Sequence, residues 1–221
     1  MSALERESSE TIEHIWTEYH QERAHTTSTV MTTSLYMELL QRAQSAPMFI
    51  LPVPKANDNS YFNLVVQNQQ KSFILTWLED FKRNPLSANP YLVLTVFDEL
   101  VRTKDLALMR GDVISHMTRS EGTAVMQQVL DSYLVDHEYE TVRKFNHEPQ
   151  SFDFEDHTTK SIERFRVIHT PLKKAEDAKK EAGKSKLILG PQSHSKPAMP
   201  MVPGGEVFIL DEVNKIKKRT D

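Results

Sequence analysis

Paired carboxylates are the residue types that general acid–base hydrolysis requires. Carboxylates abound in this chain, and Glu79 with Asp80, Asp98 with Glu99, and Asp153 with Glu155 are close pairs. Each pair reads as a solvated face, so a catalytic dyad would have to come from distant parts of the chain. The nine histidines, among them His14, His20, His25, His116 and His137, include no HxxxH pair or other local ligand spacing. They are therefore expected to be surface or structural, with no metal bound. No serine lies in a G-x-S-x-G elbow. The first glycine of the chain is Gly111 and the next is Gly122, so the body has no glycine-rich loop through which backbone amides could cradle a phosphate. There are no cysteines, which removes thiolate nucleophiles, thiolate metal sites and disulfides together. The expectation is a protein without catalytic residues or cofactors. One motif remains, Arg110-Gly111-Asp112 within LALMRGDVI, a tripeptide that acts as an adhesion signal when exposed on secreted proteins.

The surrounding elements decide how that tripeptide is used. Leu106 and Leu108 alternate with Ala107 and Met109, so both faces are apolar, as in a buried strand. Gly111 is expected to supply a bulge or a close backbone approach where this strand ends, and Arg110 to sit beside Asp112. Further upstream, Ser9 is placed to cap a first helix with Ile12, Ile15, Trp16 and Tyr19 along one stripe. HTTST reads as a polar linker to a second helix over 33–44 with Leu35, Leu39, Leu40 and Ala43 inward. MFILPVP, punctuated by Pro47, Pro52 and Pro54, reads as a strand that cannot pair fully. Tyr61 to Gln67 and Ser72 to Thr76, joined by a polar turn, form a predicted hairpin. The short helix WLEDFKRN is stopped by Pro85 and Pro90. YLVLTVF is expected to be a central strand covered on both sides, and Phe97, Leu100 and Val101 suit a helical turn. Thr118-Arg119-Ser120-Glu121 has capping-box form before an amphipathic helix with Val125, Met126, Val129, Leu130 and Tyr133 inward. A further helix is expected over 138–146.

Charge is unevenly distributed. Residues 172–221 carry 11 Lys and Arg against 7 Asp and Glu; 27 less 11 leaves 16 basic groups in the rest, and 31 less 7 leaves 24 acidic ones. An acidic body of about −8 thus precedes a basic tail of about +4. The tail is rich in Pro, Gly and Ser through GPQSHSKPAMPMVPGG, is expected to be flexible when free, and ends in an apolar patch of Val207, Phe208, Ile209 and Leu210 that could dock on another protein. Nucleic acid is not an expected partner, because the body is acidic and the tail has few aromatics. No apolar run approaches the length of a membrane span. The N-terminal stretch, with Glu5, Glu7, Glu10 and Glu13 against Arg6, suits neither a secretory signal nor a transit peptide, so the expectation is a cytosolic chain or one lacking its presequence.

The order of these blocks resembles the mitochondrial ATP synthase assembly factor family. The blocks are PMFILPVP, a hairpin ending in ILTWLEDFK, SANPYLVLTVFDEL, KDLALMRGDV, an amphipathic helix and KFNHEPQSFDF, preceded by the IW of the first helix. The resemblance runs from about Ile15 to Phe154 and is most specific through Ala88, Pro90, Leu100, Lys104 and Leu108-Met109-Arg110-Gly111. Two positions depart from the family pattern. Trp77 stands where a proline tends to follow the threonine of the third strand, and Asp105 where a glycine usually follows the lysine. The tail from Leu172 is also unlike the family's usual ending.

The resemblance implies an α+β fold with a mixed, mostly antiparallel central sheet flanked by helices, N-terminal helices and an irregular C-terminal extension. Residues 1–30 would be a helix and linker, 31–171 the assembly-factor domain, and 172–221 the basic extension. It implies a chaperone in the mitochondrial matrix, without nucleotide hydrolysis, that binds the unassembled beta subunit of the enzyme's catalytic sector. A lone beta subunit exposes an apolar face meant for an alpha subunit, which must be covered and later released. Large aromatics dominate interface energetics, so Trp16 and Tyr19 on the first helix and Trp77 and Phe81 beside the hairpin are the candidate contacts. Pro52, Pro54, Pro90, Leu108, Met109, Arg110 and Gly111 are read as structural members of the family signature, the last group ending a central strand. The unfamiliar tail leaves an alternative, a divergent member retained as a structural subunit of a larger mitochondrial complex.

Overall fold

A computed structural model describes residues 4–55 and 60–188. The residues up to Ala182 form one compact unit, and a second unit begins at Gly183. The apolar patch of Val207 to Leu210 lies outside the described residues.

Six strands make one sheet. They are β1 (Thr26–Thr32), β2 (Met48–Pro54), β3 (Tyr61–Gln69), β4 (Ser72–Trp77), β5 (Pro90–Phe97) and β6 (Leu106–Val113), in the spatial order β1-β6-β5-β4-β3-β2. Every pairing is antiparallel. The helices are α1 (Ser9–Gln21), α2 (Thr33–Ser45), α3 (Leu78–Arg83), α4 (Val101–Lys104), α5 (Arg119–Leu134), α6 (Asp136–His147) and α7 (Phe154–Ile188).

One sheet face is dry. Phe49, Leu51, Val53, Leu64, Val66, Phe73, Leu75, Leu92, Leu94, Val96, Ala107 and Met109 join Leu39 and Ala43 of α2, Val125, Met126, Val129 and Tyr133 of α5, and Phe165 of α7 in the main core. The capping box of α5 forms as predicted: the Thr118 hydroxyl accepts from the Glu121 amide at 3.2 Å and the Glu121 carboxylate accepts from the Thr118 amide at 2.7 Å. The other face is covered only in part. Beneath α1, Ile12, Leu100, Leu106 and Leu108 form a smaller cluster, with Trp16, Val30 and Phe97 packed against it. The expectation that β5 is covered on both sides therefore holds for one: Leu92, Leu94 and Val96 are buried, while Val93, Thr95 and Phe97 are half-buried.

Several local expectations change. All of HTTST but His25 belongs to a strand, β1, paired along its length with β6. Its threonine-rich sequence lacks apolar alternation, and the pairing comes from a partner about 80 residues later. The cap of α1 is Ser8, whose side chain accepts from the Thr11 amide. The buried positions of α1 are Ile12 and His20, while Ile15 and Tyr19 are exposed. In α2, Tyr36 is buried and Leu35 is exposed. The helix α7 crosses the expected boundary at Leu172 and continues to Ile188. It is held to the body by Gln128, whose amide donates to the Ser161 carbonyl at 2.7 Å, and by His157, whose ring nitrogen lies 2.7 Å from the Ile50 carbonyl oxygen.

The tripeptide does not end its strand. Arg110-Gly111-Asp112 lies in β6 between β1 and β5, in regular register with both. There is no bulge there, and the close approach is to a side chain: a Cβ on Gly111 would lie 2.5 Å from Cγ2 of Thr27 and 3.0 Å from Cδ2 of Leu94. Arg110 and Asp112 pair at 2.9 Å on the half-covered face. Leu108 and Met109 are fully buried on opposite faces. The prolines occupy tolerant positions: Pro52 and Pro54 lie on the edge strand β2, and Pro90 is the first residue of β5. Asp105, in the position where the family usually has glycine, adopts φ 55 and ψ 35 as it ends α4. Aspartate tolerates this left-handed conformation, and its carboxylate accepts from the Thr33 amide at 3.3 Å, at the start of α2.

Candidate functional site

An antiparallel sheet gathers the ends of alternate strands at one rim. Here that rim carries Pro54 at the end of β2, Phe62 near the start of β3, Trp77 at the end of β4 and Tyr91 near the start of β5. With Lys55, His116 and Glu121 these residues line an open cleft of about 400 Å³. A register shift helps to build it. Leu75 pairs with Leu92 and Thr76 with Pro90, so Tyr91 is the extra residue of a β-bulge. A bulge re-aims a side chain at the margin of a sheet, and here it turns the Tyr91 ring toward the cleft. The rings of Phe62 and Tyr91 lie 5.9 Å apart and those of Tyr91 and His116 5.1 Å apart, so three rings form a row along it. His116 holds φ 56, an uncommon conformation outside glycine.

Neither the Trp77 indole nitrogen nor the Tyr91 hydroxyl has a hydrogen-bond partner among the described residues. Burial, with a smaller effect from Asp80, raises the Tyr91 phenol above its ordinary range, so the hydroxyl keeps its proton and is a donor. Next to it Ile114, 53% exposed, donates its amide to the Tyr91 carbonyl at 2.9 Å, and Tyr61, 39% exposed, pairs with Pro54.

A second cleft of about 400 Å³ lies at the opposite rim, lined by Tyr36, Met37, Leu40, Asp98, Glu99, Val101 and Arg102. Two of its polar groups, Tyr36 and Asp98, are already engaged. The Tyr36 hydroxyl donates to Asp98 at 2.9 Å and Lys71 donates to the same carboxylate at 2.6 Å. Burial and that carboxylate push the Tyr36 phenol up to about 12.

The four candidate contact residues do not form one surface. Trp16 packs against the sheet: its indole nitrogen donates to the Met109 carbonyl at 3.3 Å, and its ring meets Phe97 edge-on at 5.5 Å. Tyr19 is exposed, with the Arg23 guanidinium 4.2 Å above its ring and donating to its hydroxyl. Trp77 lines the cleft, while Phe81 is half-buried on α3 and is not part of the lining. Trp16 and Trp77 lie on opposite faces, against opposite ends of β5, which are about 20 Å apart. Phe62, Tyr91, His116, Lys55 and Glu121 were not legible as a site. Each comes from a different segment, and Pro90 next to Tyr91 was the one local hint of an irregular strand.

Among the described residues, no group of three or more His, Asp or Glu is placed to hold a metal ion, and no helix is long and apolar enough to cross a membrane. The fold and cleft define an α+β domain with an aromatic recess at one rim of an antiparallel sheet. The chain matches the family model described as ATP11 protein over residues 1–157 of its 221, and it belongs to that family of mitochondrial ATP synthase assembly factors. No curated protein matches the chain.

Proposed function

We propose that this assembly factor binds the unassembled beta subunit of mitochondrial ATP synthase in the matrix, and that the rim around Trp77 makes the contact. The observation that carries the reading is the family match through residue 157, which spans all six strands and every residue of the cleft. The chemistry of the rim is consistent with a holdase. Trp77, Tyr91 and Phe62 supply apolar area, with few charges to desolvate, so binding is firm enough to prevent aggregation and weak enough to reverse. An alpha subunit, offering a larger interface, then displaces the chaperone by mass action.

Co-purification tests this. Tagged protein should capture free beta subunit in preference to the assembled enzyme, and addition of alpha subunit should release it. Failure to capture beta subunit, or stable co-migration with the finished enzyme, contradicts the reading. The second outcome would favour a structural subunit.

A further inference from the structure

We infer that the Trp77 cleft binds an extended, proline-bearing segment of a partner protein, with prolines spaced three residues apart. The argument rests on which hydrogen-bonding groups the cleft offers. Trp77 Nε1, Tyr91 Oη and Lys55 Nζ are donors, and the first two are unpartnered among the described residues. Acceptors are fewer, namely the Glu121 carboxylate, one nitrogen of the neutral His116 ring and the Tyr91 oxygen itself. One carboxylate oxygen of Glu121 already receives the Thr118 amide and hydroxyl, at 2.7 and 2.9 Å. A lining with more donors than acceptors suits a ligand with the opposite balance.

A polyproline II segment has that balance. Its carbonyls make no internal hydrogen bonds, and each proline removes an amide that would otherwise be buried without a partner. Three residues per turn place prolines of a PxxP repeat on one face, about 9 Å apart. Such a face packs against aromatic rings, and Phe62, Tyr91 and His116 in a row, with Trp77 in the same lining, supply them. A regular β-strand ligand would need a free sheet edge, and the cleft instead lies across the ends of β2, β3, β4 and β5. A helical ligand would offer free carbonyls only in its last turn, and none along its side.

The sequence KPAMPMVPG, residues 196–204, has prolines at 197, 200 and 203 and provides a probe of the required spacing. The receptor is the full chain carrying Pro197→Ala, Pro200→Ala and Pro203→Ala, so that it does not compete with the probe. Fluorescence anisotropy of the labelled peptide should show saturable binding. A peptide with alanine at the three proline positions should bind at least about tenfold more weakly, and Trp77→Ala in the receptor should weaken binding by a similar factor. Tyr91→Phe keeps the ring and removes one donor, so it should weaken binding several-fold while thermal melting stays that of the parent. No binding, or binding indifferent to the prolines, or binding indifferent to both Trp77→Ala and Tyr91→Phe, overturns the inference. It is separable from the beta subunit reading. Beta subunit capture without peptide binding removes this inference alone, and peptide binding without capture removes that reading alone.

Discussion

Trp16 and Trp77, the two tryptophans of the chain, occupy opposite situations on the same sheet. Trp16 lies under α1 with its indole nitrogen bonded to Met109 and its ring against Phe97 and His20. Trp77 lies at the rim with its indole nitrogen unpartnered among the described residues, beside a bulge that aims a second donor into the same cleft. The residue type is the same, and the polar end makes the difference. A tryptophan whose N–H is satisfied inside the fold is spent on stability, and one whose N–H is left open at an apolar recess is available to a ligand.

Truncation should break this comparison most visibly. Trp16→Ala removes the packing of α1 on the half-covered face and should lower stability by about 3 kcal/mol, roughly 6–12 °C in Tm. Trp77→Ala should cost about 1 kcal/mol or less and abolish partner capture; thermal melts and co-purification on both variants separate the two effects. Gly111→Ala should cost about 2 kcal/mol, because the new Cβ must displace Thr27, whose hydroxyl lies 2.8 Å from that of Thr123. This effect should appear in urea denaturation with binding at the rim unchanged.

Acidification acts on the Trp16 side. His20 is buried between the rings of Trp16 and Tyr19, and burial holds its pKa below the ordinary value, with Arg110 and Arg23 adding to the effect. Its neutral form is the one that folding favours, so its contribution is present above the unfolded-state pKa of about 6.5 and is lost as pH falls through the folded value. His157 and His169 are lowered by burial in the same direction. Stability should therefore fall between pH 7 and 5, and His20→Gln should flatten part of that slope in melts across the range. The smallest effect belongs to Asp105→Gly. Relief of the left-handed strain, about 1 kcal/mol, is offset by loss of the bond to the Thr33 amide, so Tm should move by no more than about 2 °C.

The same contrast explains how much could be read beforehand. The β3–β4 hairpin, the strand in LALMRGDV and the capped α5 were legible because each depends on local alternation, a short turn or a cap. The turn needed only Gln70 at φ 58. β1 was not legible, since TTSTVMT is made a strand by its pairing with β6. On α1 the stripes Ile12-Ile15-Trp16-Tyr19 and Ile12-Trp16-His20 both fit a helical period, and the sheet buries the second although it is the more polar. The sequence marks Trp77 as a large aromatic near the hairpin, yet its neighbours in the cleft come together only through the ends of separate strands and the Tyr91 bulge.

The most direct test is a crosslinking map of the protein bound to free beta subunit, with a photoreactive group introduced next to the cleft at Ile114 and, in a separate sample, next to α1's exposed face at Ile15. Crosslinks from the Ile114 position, lost on Trp77→Ala, are the predicted result. Crosslinks confined to the Ile15 position, unaffected by Trp77→Ala, would contradict the assignment of partner binding to the Trp77 rim.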